Sequence, residues 1–218
     1  SGRDRVGDTN QVTLALTSRI LETETGFERL RAGIGQILYL DDRELQLRRD
    51  EETTDFSEFI AEVSANLTHA LQITGTLQWD PEAQRTEKGA LRLRYRPGNN
   101  AVFNIDYRLR RSTQLARQLA DVEQTDVSFN WPVTRNWSTF GRWNYSLVDS
   151  RTLEVVGGVE YNGCCWGVRA AARRFLSTTT GQFDTGIFLQ IELKGLAGFG
   201  RQTTSFLRRN IPGYEQDF

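Results

Sequence analysis

Apolar and polar residues alternate along most of this chain with a period of two. Val12, Leu14, Leu16 and Ile20 alternate with Thr13, Ala15, Thr17 and Arg19, and Leu71, Ile73, Leu77 and Trp79 with Gln72, Thr74, Thr76 and Gln78. Leu91, Leu93 and Tyr95 alternate with Arg92, Arg94 and Arg96. Phe103, Ile105, Tyr107 and Leu109 alternate with Asn104, Asp106, Arg108 and Arg110. Near the end Ile187, Leu189, Ile191 and Leu193 alternate with Phe188, Gln190, Glu192 and Lys194. Successive side chains of a strand point to opposite faces, so this pattern predicts sheets with one greasy and one wet face. The runs predict about eleven strands of roughly ten residues. They lie near 10–22, 27–39, 57–68, 70–80, 87–96, 100–111, 121–131, 136–148, 151–162, 165–176 and 181–194. No stretch carries a convincing helical period, and the expected class is all-β.

A soluble sandwich also alternates. Three features point instead to a transmembrane antiparallel up-and-down barrel, here a partial one. The strands are longer than the roughly five or six residues usual in sandwiches. The polar face carries Arg, Glu, Asp and Asn in mid-strand, which suits a watery lumen as well as an exposed sheet. The connections also differ by parity. If the last long strand descends toward the periplasm, the connections at 23–26, 69, 97–99, 132–135 and 163–164 fall on that side and are short. Those at 40–56, 81–86, 112–120 and 177–180 fall on the other side and are mostly longer. Short inner turns and long outer loops are the asymmetry of outer-membrane barrels, and the tight Asp149–Ser150 turn is the exception. Tyr95, Trp131, Trp137, Tyr161 and Trp166 land at periplasmic strand ends, where they would form an interfacial aromatic belt.

Composition narrows this further. The 27 basic and 28 acidic residues give a formal net charge of −1, so nucleic acid is not an expected partner. No apolar run approaches the roughly 20 residues of a transmembrane helix, which says nothing against a barrel. The chain contains no Met, which suggests a mature product or a fragment. An odd strand count points the same way, because an open sheet would leave unpaired edges in lipid. Further strands are expected upstream or from another chain.

The two cysteines, Cys164 and Cys165, are adjacent and lack the spacing of a zinc site. A vicinal disulfide would be strained, leaving two distant partners or two free thiols. His69 is the only histidine, in a predicted short turn without a grouped acid and nucleophile, so no enzyme activity is expected. No cofactor or metal is expected either.

The segment Val-Glu-Tyr-Asn-Gly-Cys-Cys-Trp-Gly-Val-Arg at 159–169 resembles the double-cysteine strand of the LptD family, the lipopolysaccharide-assembly outer-membrane proteins. Gly-Ile-Phe-Leu-Gln-Ile-Glu-Leu-Lys-Gly-Leu at 186–196 looks like that family's last barrel strand. Leu-Arg-Arg-Asn-Ile-Pro-Gly-Tyr at 207–214 is similar to its C-terminal extension, and Asp-Arg-Val-Gly-Asp-Thr-Asn-Gln-Val-Thr at 4–13 to a mid-barrel strand. The resemblance spans the chain, although 40–130 is individually unspecific. It implies residues 1–194 as the C-terminal portion of a barrel and 195–218 as a periplasmic tail.

The resemblance also implies a role in the outer membrane of a Gram-negative bacterium. Lipopolysaccharide would arrive along a periplasmic bridge, pass its sugars through the lumen and release its acyl chains through a lateral seam. A porin or ligand-gated uptake barrel is the alternative. Implied partners are the plug lipoprotein LptE, the bridge protein LptA through an N-terminal domain, and the barrel-insertion machinery. Cys164 and Cys165 would each bond a distant cysteine in the oxidising periplasm. Each such bridge would be worth roughly 4–5 kcal/mol at most in the chain-entropy account. Asp184, Gly186, Leu189, Ile191 and Leu193 would form the seam strand and carry an assembly signal. Arg92, Arg94, Asn104, Arg108, Arg142, Asn144 and Glu192 would face the sugar path.

Overall fold

The computed structural model describes residues 10–40, 56–98, 100–111, 121–177, 181–193, 197–200 and 203–214. The expected long connections at 40–56, 112–120 and 177–180 lie almost wholly outside these residues, as does most of the 4–13 motif. Twelve strands and one helix are present: β1 (Gln11–Leu21), β2 (Glu28–Tyr39), β3 (Phe59–Asn66), β4 (Leu71–Asp80), β5 (Arg85–Gly98), β6 (Ala101–Arg110), β7 (Val122–Pro132), β8 (Trp137–Ser146), β9 (Arg151–Asn162), β10 (Trp166–Leu176), β11 (Phe183–Leu193), β12 (Ala197–Gly200) and α1 (Thr203–Asn210). Neighbours in the sheet follow chain order throughout. The eleven expected strands are all present. The twelfth, Ala-Gly-Phe-Gly, is too short to show a period. Among the described residues no helix is long and apolar enough to cross a membrane.

The chain divides into two compact units, with β3, through Asn66, and β4, β5 and β6 contributing to both. In the first unit (residues 1–65, 74–90 and 109–121), β1 pairs antiparallel with β2 from Gln11↔Tyr39 to Ile20↔Leu30. β2 in turn pairs with β3 from Leu30↔Ala65 to Gly35↔Ile60. The β1–β2 hairpin closes through the Gly26 N–H to the Glu22 carbonyl, 2.9 Å, with Gly26 at φ +70°. That left-handed conformation suits glycine. Directly opposed residues share a face, so Val12, Leu14 and Leu16 line up with Leu38, Gln36 and Ile34, and of these Val12, Leu14, Leu16 and Ile34 are exposed apolar side chains. On the other face Thr13, Ala15 and Thr17 oppose Ile37, Gly35 and Gly33. The missing glycine side chains help leave an open depression of about 340 Å³ there, bounded also by Ile60 and Glu62.

The second unit holds residues 66–73, 91–108 and 122–218. Strands β7 to β12 form a continuous antiparallel meander, with pairings such as Ser128↔Arg142, Phe140↔Gly158, Glu160↔Arg169 and Trp166↔Leu193. β12 adds only four pairs, Gln190↔Gly200 to Leu193↔Ala197. Two aromatic rings lie over cross-strand glycines, Phe140 on Gly158 and Phe129 on Gly141. A Cβ built on Gly158 would stand 2.4 Å from both the Ala170 carbonyl oxygen and Phe140 Cζ. The glycine is therefore what lets the ring lie flat.

The distribution of burial is inverted relative to a water-soluble sheet. Along β11 exposure alternates, and its apolar side is the open one: Ile187 is 83% exposed and Leu189 55%. Trp137, Trp143, Val155, Val159 and Trp166 are exposed in the same way. The opposite face buries Asn104, Ser128, Glu160 and Arg169. Every buried apolar residue among those described belongs to this second unit.

Candidate functional site

The polar face of the second unit carries α1 and the turn that follows it, residues 203–214. Leu207, Ile211 and Tyr214 recur at four and then three positions, which places them on one side of a helical turn. The Ile211 N–H donates to the Leu207 carbonyl at 2.7 Å and the Tyr214 N–H to the Ile211 carbonyl at 3.0 Å, extending that stripe past the helix end. All three side chains are buried against Val102, Phe140, Val156 and Ala171, one from each of β6, β8, β9 and β10. Phe206 stacks on Phe188 of β11, with ring centroids 5.7 Å apart. Arg208 and Arg209 are exposed in the last turn, where cations suit the negative end of the helix.

Three polar groupings tie this segment to the strands. In the deepest, Arg169 donates to Glu160 through Nε at 2.9 Å, to the Tyr214 hydroxyl through Nη2 at 2.6 Å and to Gln190 at 3.2 Å. The Tyr214 hydroxyl donates in turn to Glu160 at 2.6 Å. A buried guanidinium and carboxylate thus meet each other and a hydroxyl that serves both, which offsets their loss of water. In the second grouping Arg142 grips Asp126 through Nε and Nη2, the latter at 2.5 Å, and reaches Glu154 at 2.9 Å and Asn210 of the helix. Asn144 donates to Asp126 at 2.8 Å, and Arg173 pairs with Glu154. In the third, Asn104 donates to Ser128 at 3.2 Å and to the Pro212 carbonyl at 3.1 Å. Arg96 donates to the Gly213 carbonyl at 3.1 Å. Gly213 has φ +86°, and a Cβ there would sit 2.5 Å from Arg96 Nη2.

By strand parity the seven polar residues expected to face one path, Arg92, Arg94, Asn104, Arg108, Arg142, Asn144 and Glu192, all lie on this face. Arg142 and Asn144 share Asp126; Arg94 reaches Asn104 at 3.3 Å; Arg92 pairs with Asp106. Glu160, Arg169, Asp126, Glu154 and Tyr214 were not anticipated. The first four sit at the same parity as those that were, so the alternation itself could have found them. Tyr214 lies beyond the last periodic strand and gave no such signal. On β11, Asp184 and Gly186 have the parity of this face and Leu189, Ile191 and Leu193 that of the apolar one.

The aromatic residues occupy the apolar face at the strand ends near 98–101, 132–137 and 162–166. Trp137 and Tyr161 lie 5.0 Å apart, and Tyr161 and Trp166 4.7 Å. Trp131 opposes Thr139 on that face, and Tyr95 has the parity of Leu91 and Leu93. Cys164 and Cys165 are exposed in the β9–β10 turn at this end, closed by the Gly163 N–H to the Trp166 carbonyl at 2.9 Å. Their Sγ atoms are 2.8 Å apart in a thiol–thiol hydrogen-bonding contact, not a disulfide. Among the described residues no group of three or more His, Cys, Asp or Glu side chains is arranged to hold a metal ion.

Residues 1–137 match the family model described as "LptD: LPS transport system D". The chain belongs to the LptD family. Its relatives include the LPS-assembly protein LptD of Nitrosococcus oceani, 41% identical over 219 residues, covering all of this chain and 29% of that protein. That of Xylella fastidiosa is 39% identical, with 27% of its length covered, and that of Xanthomonas campestris 37%, with 28% covered. The chain therefore spans less than a third of the length of these LptD relatives, and the matches extend through the Cys-Cys turn and the terminal segment.

Proposed function

We propose that this chain forms the C-terminal wall of an outer-membrane barrel that delivers lipopolysaccharide to the surface of a Gram-negative bacterium. The observation that carries the reading is the end-to-end match to LPS-assembly proteins. It is supported by a sheet whose exposed face is apolar and whose other face is polar, as a wall between lipid and a watery lumen requires. In this reading Val155, Val159, Ile187 and Leu189 meet acyl chains. Tyr95, Trp131, Trp137, Tyr161 and Trp166 sit at the periplasmic interface. Arg92, Arg94, Arg108, Asn144 and Glu192 line the sugar path; Asn104 and Arg142, on the same face, are instead taken up by the terminal segment through the Pro212 carbonyl and Asn210, and no chemical step is assigned to any side chain.

β11 forms one lip of a lateral seam against the barrel's first strand, and weak pairing across that seam lets it open at little cost. Asp184, Gly186, Leu189, Ile191 and Leu193 carry the signal read by the insertion machinery. Cys164 and Cys165 take distant partners that fix a periplasmic domain receiving substrate from LptA, and LptE plugs the lumen. The exposure of both thiols at the aromatic end leaves them accessible to such partners. Depleting the full-length protein, or replacing Cys164 and Cys165 by Ser together, should lower lipopolysaccharide at the cell surface and admit large antibiotics. Normal surface lipopolysaccharide after depletion sinks the transport reading; steady ion conductance through the unplugged protein would then favour a porin.

A further inference from the structure

The segment 203–214 makes contacts that reach from one side of the second unit's polar face to the other. Its backbone carbonyls at Pro212 and Gly213 accept hydrogen bonds from Asn104 on β6 and Arg96 on β5. Asn210 meets Arg142 on β8, Tyr214 joins Glu160 on β9 and Arg169 on β10, and Phe206 stacks on Phe188 of β11. Six strands are thus held by twelve consecutive residues.

We propose that this face is a receptor site for the chain's own terminal segment, and that docking of the segment locks β5 to β11 into one body. The fit has three independent parts. The floor is flat because Gly158 lets the Phe140 ring lie against the sheet, and Leu207 and Ile211 fill the space above it. The ligand chemistry is specific: a phenol in the last turn both accepts from Arg169 and donates to Glu160, which a plain apolar side chain cannot do. The segment also bridges successive strands along their hydrogen-bonding direction. Backbone ladders and cross-strand pairs such as Arg142–Asp126 link each strand only to its immediate neighbours, so a bridge spanning several strands on the face opposes the twisting that lets a sheet open. Docking also changes what the face presents, covering an apolar floor and displaying Arg208 and Arg209. The inference does not depend on what the protein transports.

The test is hydrogen exchange on the full-length protein in detergent, comparing the natural chain with one lacking residues 203–218 and with Tyr214→Phe. Removing the segment should speed exchange in β8 to β11 by about tenfold or more while β1 and β2 are unchanged. A synthetic peptide of residues 203–218 added in excess should restore the protection. Tyr214→Phe should speed exchange in β9 and β10 by about threefold. Unchanged exchange in β8 to β11 after deletion overturns the proposal, as does an equal rise in β1 and β2 or failure of the peptide to protect. If the shortened chain does not fold, Tyr214→Phe decides: unaltered exchange in β9 and β10 overturns the lock.

Discussion

The two units use the same strands-and-hairpins grammar and end in opposite states. In the second, a terminal segment covers the polar face, and the arginines and acids beneath it are buried and matched. In the first, β1 is exposed on both faces, glycines open a depression of about 340 Å³, and Arg29–Glu22 and Arg31–Glu28 sit beside the β1–β2 turn in contact with water, although Glu87, paired with Arg85 on β5, is buried. The difference teaches that covering a polar sheet face goes with supplying most of its buried groups with hydrogen-bond partners. Ion pairing follows from cover, and substitutions of like chemistry should therefore act differently in the two units.

The largest effect is expected at the deepest pair. Arg169 and Glu160 have side chains only 1% and 4% exposed. Arg169→Leu strands a buried carboxylate and should lower unfolding stability of the full-length protein by about 3–5 kcal/mol. The triple variant Arg169→Leu, Glu160→Leu, Tyr214→Phe removes every partner at once and should recover most of that loss. Urea titration in detergent reads both. If the triple variant is as unstable as the single, the loss comes from packing and the cover argument fails.

Next comes one substitution with opposite signs. Gly158→Ala puts a Cβ against a backbone carbonyl and an aromatic ring that has nowhere to go, and should cost about 1–3 kcal/mol. Gly33→Ala in the first unit meets the flexible Glu62 side chain at 3.3 Å and Thr17 Oγ1 at 3.6 Å. It should be tolerated, with a gain of about 0.4–1 kcal/mol from the less flexible unfolded chain. Equal losses at both sites would erase the contrast between a packed and an open face. Leu207→Ala tests the cover itself: an apolar side chain with no exposure should cost about 2–4 kcal/mol on truncation.

These contrasts also explain what the amino-acid order discloses. Period two is a local property, so β1 to β11 are legible from it, and so is the face carrying Arg142 and Asn144. Turn chemistry is local too, as at Gly26. What the pattern withholds is long-range: Tyr214 meets Glu160 across 54 positions and Arg96 meets the Gly213 carbonyl across 117. An eight-residue helix carries too few turns to stand out from its surroundings, and β12 is defined by four pairs with β11. Glu160 and Arg169 have the parity of the polar face, but alternation alone does not disclose that they oppose one another across β9 and β10.

The smallest effect is expected at Arg29, and its salt dependence sharpens the comparison more than its size. Arg29 pairs with Glu22 at 2.7 Å beside the β1–β2 turn, with side chains 39% and 32% exposed. Water screens such a pair, so Arg29→Ala should cost between about 0.2 and 1 kcal/mol. Thr25 keeps donating to Glu22 at 2.5 Å, so the acid is not abandoned. Raising salt to about 1 M shortens the screening length to roughly 3 Å and should remove most of that small loss. Arg142, whose side chain is 21% exposed and whose acids Asp126 and Glu154 are 19% and 14% exposed, is sheltered by the helix. Arg142→Ala should therefore cost more, and its loss should persist in high salt because ions cannot enter beneath the cover. Equal salt sensitivity at the two arginines would mean that water reaches both faces alike, and that the terminal segment shields nothing.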